Sequence, residues 1–299
     1  LLEQWAYVIY GFSVFLLVCV LVFGKYAGGS RRWLGLGVVS IQPSEFVKLA
    51  VIVMLARYYA RVANVNGLTF YELFRPFVVV AVPFMLIVRQ PDLGTAMVVL
   101  LIAVSMTLFV KVEKRLFVCL GFISVTGGPL VWFCLKGYQK QRILTFLNPD
   151  LDPLGAGYHI IQSKIAIGSG MFLGRGLGRG PQNALSFLPE QHTDFIFSVL
   201  AEELGFAGSF FMIFLFLMLV VWGLNVAHGC REPFGTIVSV GVTAMIFWQV
   251  FINVAMVTGL MPVVGVPLPF ISYGGSSVIT VMMCVGVLMN VSMRRFLME

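Results

Sequence analysis

The sequence predicts an all-α fold, a polytopic bundle of transmembrane helices with one large extracytoplasmic loop. Three observations carry this reading. The chain is 59% hydrophobic and only 11% charged, about half the charge of an ordinary soluble domain. Several uncharged stretches approach or exceed the ~20 residues that cross a bilayer as a helix, and residues 233–293 hold no Asp, Glu, Lys or Arg. No stretch alternates apolar and polar residues as the strands of a membrane barrel must.

Taken in order, eight spans are expected, at about 4–24, 43–62, 71–89, 93–110, 115–135, 195–225, 234–258 and 275–293. The third is the weakest, because its uncharged core, 76–88, is short and holds two prolines, so it either borrows from its flanks or re-enters. In the sixth, residues 204–227 alone could span, leaving 195–203 as a lip in the outer interface. Residues 1–299 read as a single membrane domain, with the loop at 136–194 inside it. The chain opens on Leu1 without a basic leader or cleavage site. It reads as a fragment that begins just before a membrane helix.

Positive charge in short loops sets orientation. Arg57, Arg61 and Arg75, then Lys111, Lys114 and Arg115, then Arg231, and finally Arg294 and Arg295 fall on one side, taken as the inside. The net charge of +7 is read as topology control and headgroup anchoring rather than nucleic-acid binding. The five cysteines form no CxxC pair and the three histidines lack ligand spacing, so no metal site is indicated.

The outer side nevertheless keeps Lys25, Arg31 and Arg32 in the short 25–43 loop. Cations there work against the topology, which points to an anion that they bind. "GSRRWL" adds Trp33, whose ordinary role is interfacial anchoring, while arginine forks suit phosphate. In the long loop, "GYHIIQSKIAIGSG" has Ile160, Ile161, Ile165 and Ile167 in a pattern that fits an interfacial helix carrying Lys164. "GSGMFLGRGLGRG" follows, six glycines in thirteen residues, read as mobile backbone and weak evidence for phosphate binding.

Four of the thirteen acidic residues, Glu190, Asp194, Glu202 and Glu203, crowd into "FLPEQHTDFIFSVLAEELG". Thr193 or Asp194 suits the N-cap of the helix that follows. A carboxylate at the membrane rim, beside His192 and a cation-rich loop, is also a candidate general base. Asp194 and Glu202 share roughly one helical face, whereas the adjacent Glu202 and Glu203 point about 100° apart.

In "IQPSEFVKLAVIV", Pro43 and Ser44 signal helix entry, and Glu45 and Lys48 pair at i,i+3. This is either a local ion pair that lets two charges sit near lipid, or a device that holds Lys48 toward a cavity. In "RQPDLGTA", Asp92 and Thr95 read as helix caps. "PVVGVPLPFISYGGSS" is irregular and uncharged, as backbone lining a cavity can be. Its Ser272, Tyr273, Ser276 and Ser277 either meet a sugar or peptide or satisfy their own loop.

These motifs, "GSRRWL…IQPSEFVKLA", "QPDLGTA", "DPLGAGYHIIQSKIAIGSG", "FLPEQHTDFIFSVLAEELG" and "MPVVGVPLPFISYGGSS", occur in this order. Together they closely resemble the SEDS family (shape, elongation, division and sporulation) of bacterial cell-wall proteins, across essentially the whole chain. The "YHIIQSKIAIGSG" segment looks most like the rod-shape-determining branch; "GLGRG" and "PFISYGGSS" also fit the division branch. The resemblance implies ten helices in the bacterial cytoplasmic membrane with both ends cytoplasmic, of which this chain would hold the last eight. It implies a peptidoglycan glycosyltransferase that polymerises lipid II, an undecaprenyl-pyrophosphate-linked disaccharide pentapeptide, into β-1,4 glycan at the outer face, partnered by a class B penicillin-binding protein.

The family's essential Asp matches Asp194, its charged pair matches Glu45 and Lys48, and its sensitive Trp matches Trp33. Arg31, Arg32, Trp33, His192, Lys164, Ser272 and Tyr273 are the expected substrate contacts, with Asp194, Lys48 and Glu45 catalytic. Ser40 departs from some rod-branch members, which carry a basic residue there, so anion contacts shift to Arg31 or Arg32. No cofactor is indicated, and a divalent cation between the diphosphate and Asp194 is left open. A lipid transporter and a non-catalytic scaffold for the penicillin-binding protein are the rival functions.

Overall fold

The computed structural model describes residues 2–27, 30–36, 39–62, 68–110, 137–149, 155–181 and 192–297. The fifth expected span, 115–135, and Glu190 lie outside them, as do Lys111, Lys114 and Arg115. The chain divides into two compact units. One comprises Leu1–Phe117, Leu219–Trp248 and Gly274–Glu299, the other Val118–Met218 and Gln249–Tyr273.

The first unit opens with α1 (Leu2–Phe23). Its buried residues, Ala6, Ser13, Leu17 and Val20, form one stripe, while Trp5, Tyr7, Phe12, Phe15 and Val22 are exposed. An apolar residue on the outer face of such a helix meets lipid at no cost, so only the stripe has to match a neighbour. The chain then makes a three-stranded antiparallel sheet, β1 (Lys25–Ala27), β2 (Ser30–Leu36) and β3 (Val39–Ile41). Lys25 faces Trp33 and Leu34 faces Ile41 in its register. This small sheet is the one departure from an all-helical reading of the described residues, and it occupies the 25–43 loop.

Helix α2 (Pro43–Val62) is the hub of the unit, packed by α1, α3 (Phe70–Arg89), α4 (Leu93–Phe109) and α9 (Gly275–Leu297). Its residues Ala50 to Ala56 are buried on every face, the pattern of a helix enclosed by others. In α3 the two prolines do not break the helix. Pro76, Val80, Pro83 and Ile87 form its buried stripe, so a re-entrant third segment is excluded and the helix runs continuously for 20 residues. Helix α8 (Pro233–Val257) approaches α2 and α4 through Gly241, where a Cβ would come 2.7 Å from Ile52 and 2.8 Å from Met106. Small residues at such crossings let backbones close on one another.

The second unit holds α5 (Gly137–Leu147), α6 (Ala156–Ser169), the start of α7 (Ile196–Gly229) and the end of α8. The expected loop helix is present as α6, but its buried stripe is Ile160, Ser163 and Ala166, and Ile165 is 46% exposed. Ser163 explains the difference. Its hydroxyl donates to Val257 O at 2.6 Å and lies 2.7 Å from Ser198 Oγ, so a polar residue fixes which face turns inward.

Among the described residues, five helices, α1, α3, α7, α8 and the Gly275–Arg294 stretch of α9, are long and apolar enough to cross a membrane. Helix α4 is apolar but 17 residues long, and α2 carries Glu45, Lys48, Arg57 and Arg61. Both match expected spans.

Candidate functional site

Asp194 lies in the turn at 192–195, just before α7 begins at Ile196. Three consecutive carbonyls of this turn are taken by three donors. Tyr273 N donates to His192 O at 2.8 Å, Ser272 Oγ to Thr193 O at 2.6 Å, and Asn253 Nδ2 to Asp194 O at 2.9 Å. A turn normally leaves such carbonyls to water. Here each is tied to the irregular 258–273 segment or to the end of α8, so the backbone that carries the carboxylate is fixed at every peptide. The Asp194 side chain itself is half-buried and lies against Gly265, where a Cβ would stand 3.0 Å from Oδ2. Gly265 has φ +71°, a conformation that a side chain would disfavour.

The other residues expected of this unit divide by exposure. His192, Lys164 and Tyr273 are exposed, Tyr273 by 82%. A Cβ on Gly259 would collide with Lys164 Cε, so the lysine stem runs across that glycine. Ser272 is buried, and its hydroxyl also accepts from Leu268 N at 2.7 Å. It is engaged within the fold, and its geometry is that of a brace rather than a group presented to a ligand.

The glycine-rich segment read as mobile backbone has a defined structure, which corrects that reading. Helix α7 breaks at Gly205, with φ 67° and ψ −161°. The carbonyls of Glu202 and Glu203, which would have accepted from residues 206 and 207, accept instead from Arg175 N and Gly176 N, each at 3.0 Å. In return Phe206 N donates to Met171 O at 2.8 Å and Ala207 N to Phe172 O at 3.0 Å. The loop thus supplies four backbone partners that the break removed. Gly174 and Gly205 must be glycine for this, because each would place a Cβ within 2.5 Å of the other strand's backbone. Ahead of the break, Ile196–Leu204 is a helical segment set apart from the rest of α7, at about the point where the sequence reading divided 195–203 from 204–227.

The acidic pair past Asp194 is part of the same join. Glu203 Oε1 accepts from Gly178 N at 3.1 Å. Glu202 is fully buried, with Gly180 so close that a Cβ there would reach 2.5 Å from Oε2.

In the first unit, Lys48 Nζ and Glu45 Oε2 are 2.8 Å apart, with side chains only 2% and 3% exposed. A buried pair of this kind is poor as a stabilising device, because desolvation offsets most of the attraction. Its presence in the middle of an apolar hub is what makes it a functional candidate. Around it, Asp92 caps α4 by accepting from Thr95 N at 3.3 Å and Thr95 Oγ1 at 2.9 Å. It also takes Gln42 Nε2 at 3.1 Å, which ties the α3–α4 turn to the entry of α2.

The successive residues Lys25 and Tyr26 of β1 pair with Trp33 and Arg31, so Arg32 falls at an irregularity in the β1–β2 register. Arg32 turns to the α3–α4 turn, where its guanidinium donates to Gln90 O at 3.3 Å and to Pro91 O. Arg31 is exposed and Trp33 half-buried. The structure therefore separates the two arginines that the sequence treated alike.

Two features of the site escaped the sequence: Asn253 and Gly265. Asn253 is fully buried near the end of an apolar helix, and an isolated amide in such a stretch was the available signal. Among the described residues no three His, Cys, Asp or Glu side chains gather as a ligand set.

The helices and the two polar clusters define a multi-pass membrane protein with a buried ion pair in one unit and a braced carboxylate in the other. The chain belongs to the FtsW/RodA/SpoVE family of cell cycle proteins, whose profile matches residues 1–296. It is 43% identical over 294 residues to the peptidoglycan glycosyltransferase MrdB of Escherichia coli, covering 98% of this chain and 79% of that one. It is 44% identical over 294 residues to stage V sporulation protein E of Bacillus subtilis, covering 97% and 79%. Among solved structures, a chain of a peptidoglycan synthase complex that coordinates polymerisation and crosslinking matches with TM-score 0.84 at 32% identity, covering 99% of this chain and 82% of that one. The rod shape determining protein RodA of Thermus thermophilus matches with TM-score 0.70 at 27% identity, covering 99% and 80%.

Proposed function

We propose that this chain is a peptidoglycan glycosyltransferase of the cytoplasmic membrane that polymerises lipid II into β-1,4 glycan at the outer face, in the service of elongation and rod shape. The observation that carries the mechanism is the Asp194 carboxylate on a backbone held at three successive carbonyls. A general base must be placed before it is basic, and misplacement of about 1 Å costs on the order of 10²-fold in rate.

Asp194 takes the proton from the 4-hydroxyl of the acceptor sugar as that oxygen attacks the anomeric carbon of the donor. The new C1–O4 bond forms as the bond from C1 to the phosphate oxygen breaks. The electron pair leaves with undecaprenyl pyrophosphate, and one displacement turns an α-linked donor into a β-linked product. Charge grows on the leaving diphosphate, and cations stabilise it there. The exposed Arg31 supplies one such charge at the surface, and the buried Lys48, held by Glu45, adds its field from within the first unit. Arg32, bound to Gln90 and Pro91 carbonyls, holds β2 in place for Arg31 and Trp33. His192, Lys164 and Tyr273 face solvent around the Asp194 turn and contact the sugar–peptide portion. The partner is a class B penicillin-binding protein that crosslinks the product, in keeping with the synthase complex that this chain resembles.

The test is glycan synthesis from purified lipid II by the full-length protein in complex with its penicillin-binding partner, whose crosslinking serine is replaced. Long uncrosslinked strands are the expected product. Lipid II crossing proteoliposomes with no strand formed would overturn the proposal in favour of transport.

A further inference from the structure

We infer that Asn253 is the positioning residue for the Asp194 carboxylate, an inference that rests on the polymerase reading above. Asn253 is fully buried and sits one turn from the end of α8. Its side-chain nitrogen carries two hydrogens and uses both, one on Asp194 O at 2.9 Å and one on Val266 O at 2.7 Å. These carbonyls belong to two different segments, the turn that leads into α7 and the irregular segment after α8. Next to Val266 stands Gly265, the wall against which the Asp194 carboxylate rests. One amide thus sets the backbone from which the carboxylate projects and the surface on which it lies.

The neighbouring braces do not duplicate this. Ser272 acts on Thr193 O and Tyr273 N on His192 O. Ser272 holds the peptide that precedes the Asp194 Cα and Asn253 the one that follows it, and among these three donors only Asn253 also bonds the carbonyl next to Gly265. The chemistry of the position is narrow. It calls for two hydrogens on one short, uncharged group, because a longer cationic chain would carry a charge into a buried pocket. Without the amide, two carbonyls lose their donor, and the Asp194 peptide plane is free to turn. Displacement of the carboxylate then acts on the proton transfer, not on capture of the lipid-linked substrate, whose tails and diphosphate are held by other groups.

The experiment measures kcat and KM for lipid II polymerisation by the full-length complex, with thermal stability and complex assembly as controls. Asn253→Asp keeps the size and leaves at most one donor, the hydroxyl of the protonated acid; Asn253→Leu removes the polar group altogether. The inference expects kcat to fall at least tenfold in both, with KM within twofold of wild type and the assembled complex intact. A kcat within twofold of wild type, or a loss that lies in KM, overturns it. If neither variant assembles, Asn253→Ser decides. It keeps one donor of the two, and a kcat loss of threefold or more at unchanged KM supports the inference, whereas a smaller loss overturns it. Asp194→Asn is run alongside. If that variant is active, the base role of Asp194 fails and this inference with it; if it is inactive while the Asn253 variants are normal, only the present inference fails; no strand from wild type sinks the polymerase reading.

Discussion

The carboxylate of Asp194 rests on Gly265, leaving 3.0 Å between Oδ2 and the place a Cβ would take. The glycine is at φ +71°, so a side chain there is strained as well as crowded. Gly265→Ala is expected to cost about 1–3 kcal/mol of stability and to lower polymerisation at least tenfold by moving the carboxylate. Gly286→Ala, at a site with nothing within 4 Å, is the control and is expected to stay within twofold of wild type. Thermal melting and a polymerisation assay on both variants check this.

The buried pair in α2 separates stability from chemistry. Removing one partner strands the other charge among apolar neighbours, at a cost of about 3–5 kcal/mol. Glu45→Gln and Lys48→Met should therefore each lower the melting temperature sharply. The double variant restores an uncharged interior and should recover much of the stability. Polymerisation should stay lost, because the cation itself is gone. Recovery of activity together with stability would assign the pair a purely structural role.

The two arginines of β2 should behave differently. Arg32→Ala removes the bonds to the Gln90 and Pro91 carbonyls and is expected to lower the melting temperature. Arg31→Ala removes an exposed cation and is expected to raise KM for lipid II severalfold at unchanged stability. Equal effects from the two would contradict the separation of roles.

The exchange of partners at Gly205 predicts a local failure. Gly205→Ala would drive a Cβ to 2.3 Å from Gly174 N, so the 170–180 loop cannot stay bonded across the break. Limited proteolysis should then cut faster at Arg175 or Arg179, whose backbone N–H groups are hydrogen-bonded in the wild-type protein. Equal cutting of both proteins would show that the loop is not held by this join.

Much of the architecture was legible because lipid imposes a coarse rule. Long uncharged stretches placed α1, α4, α8 and α9, and Pro43 marked the start of α2 to the residue. What was hidden depends on pairing across distance. The sheet at 25–41 is short and mixed in composition, and only its hydrogen-bonded register makes it a sheet. The glycines at 168–180 suggested freedom, whereas they answer a close approach to the Gly205 break that no local pattern encodes. The Glu45–Lys48 pair was readable from i,i+3 spacing. The brace on Asp194 was not, since Asn253, Ser272 and Tyr273 lie 59 to 81 residues away from the carbonyls they hold.

The most direct test of the account is steady-state polymerisation of lipid II by the wild-type complex and by Asp194→Asn, with melting temperature and lipid II binding measured on the same preparations. Removing a general base typically costs about 10²–10⁴-fold. The account predicts a loss in kcat of that size, with folding and binding retained. A folded Asp194→Asn complex that makes glycan at the wild-type rate would contradict it.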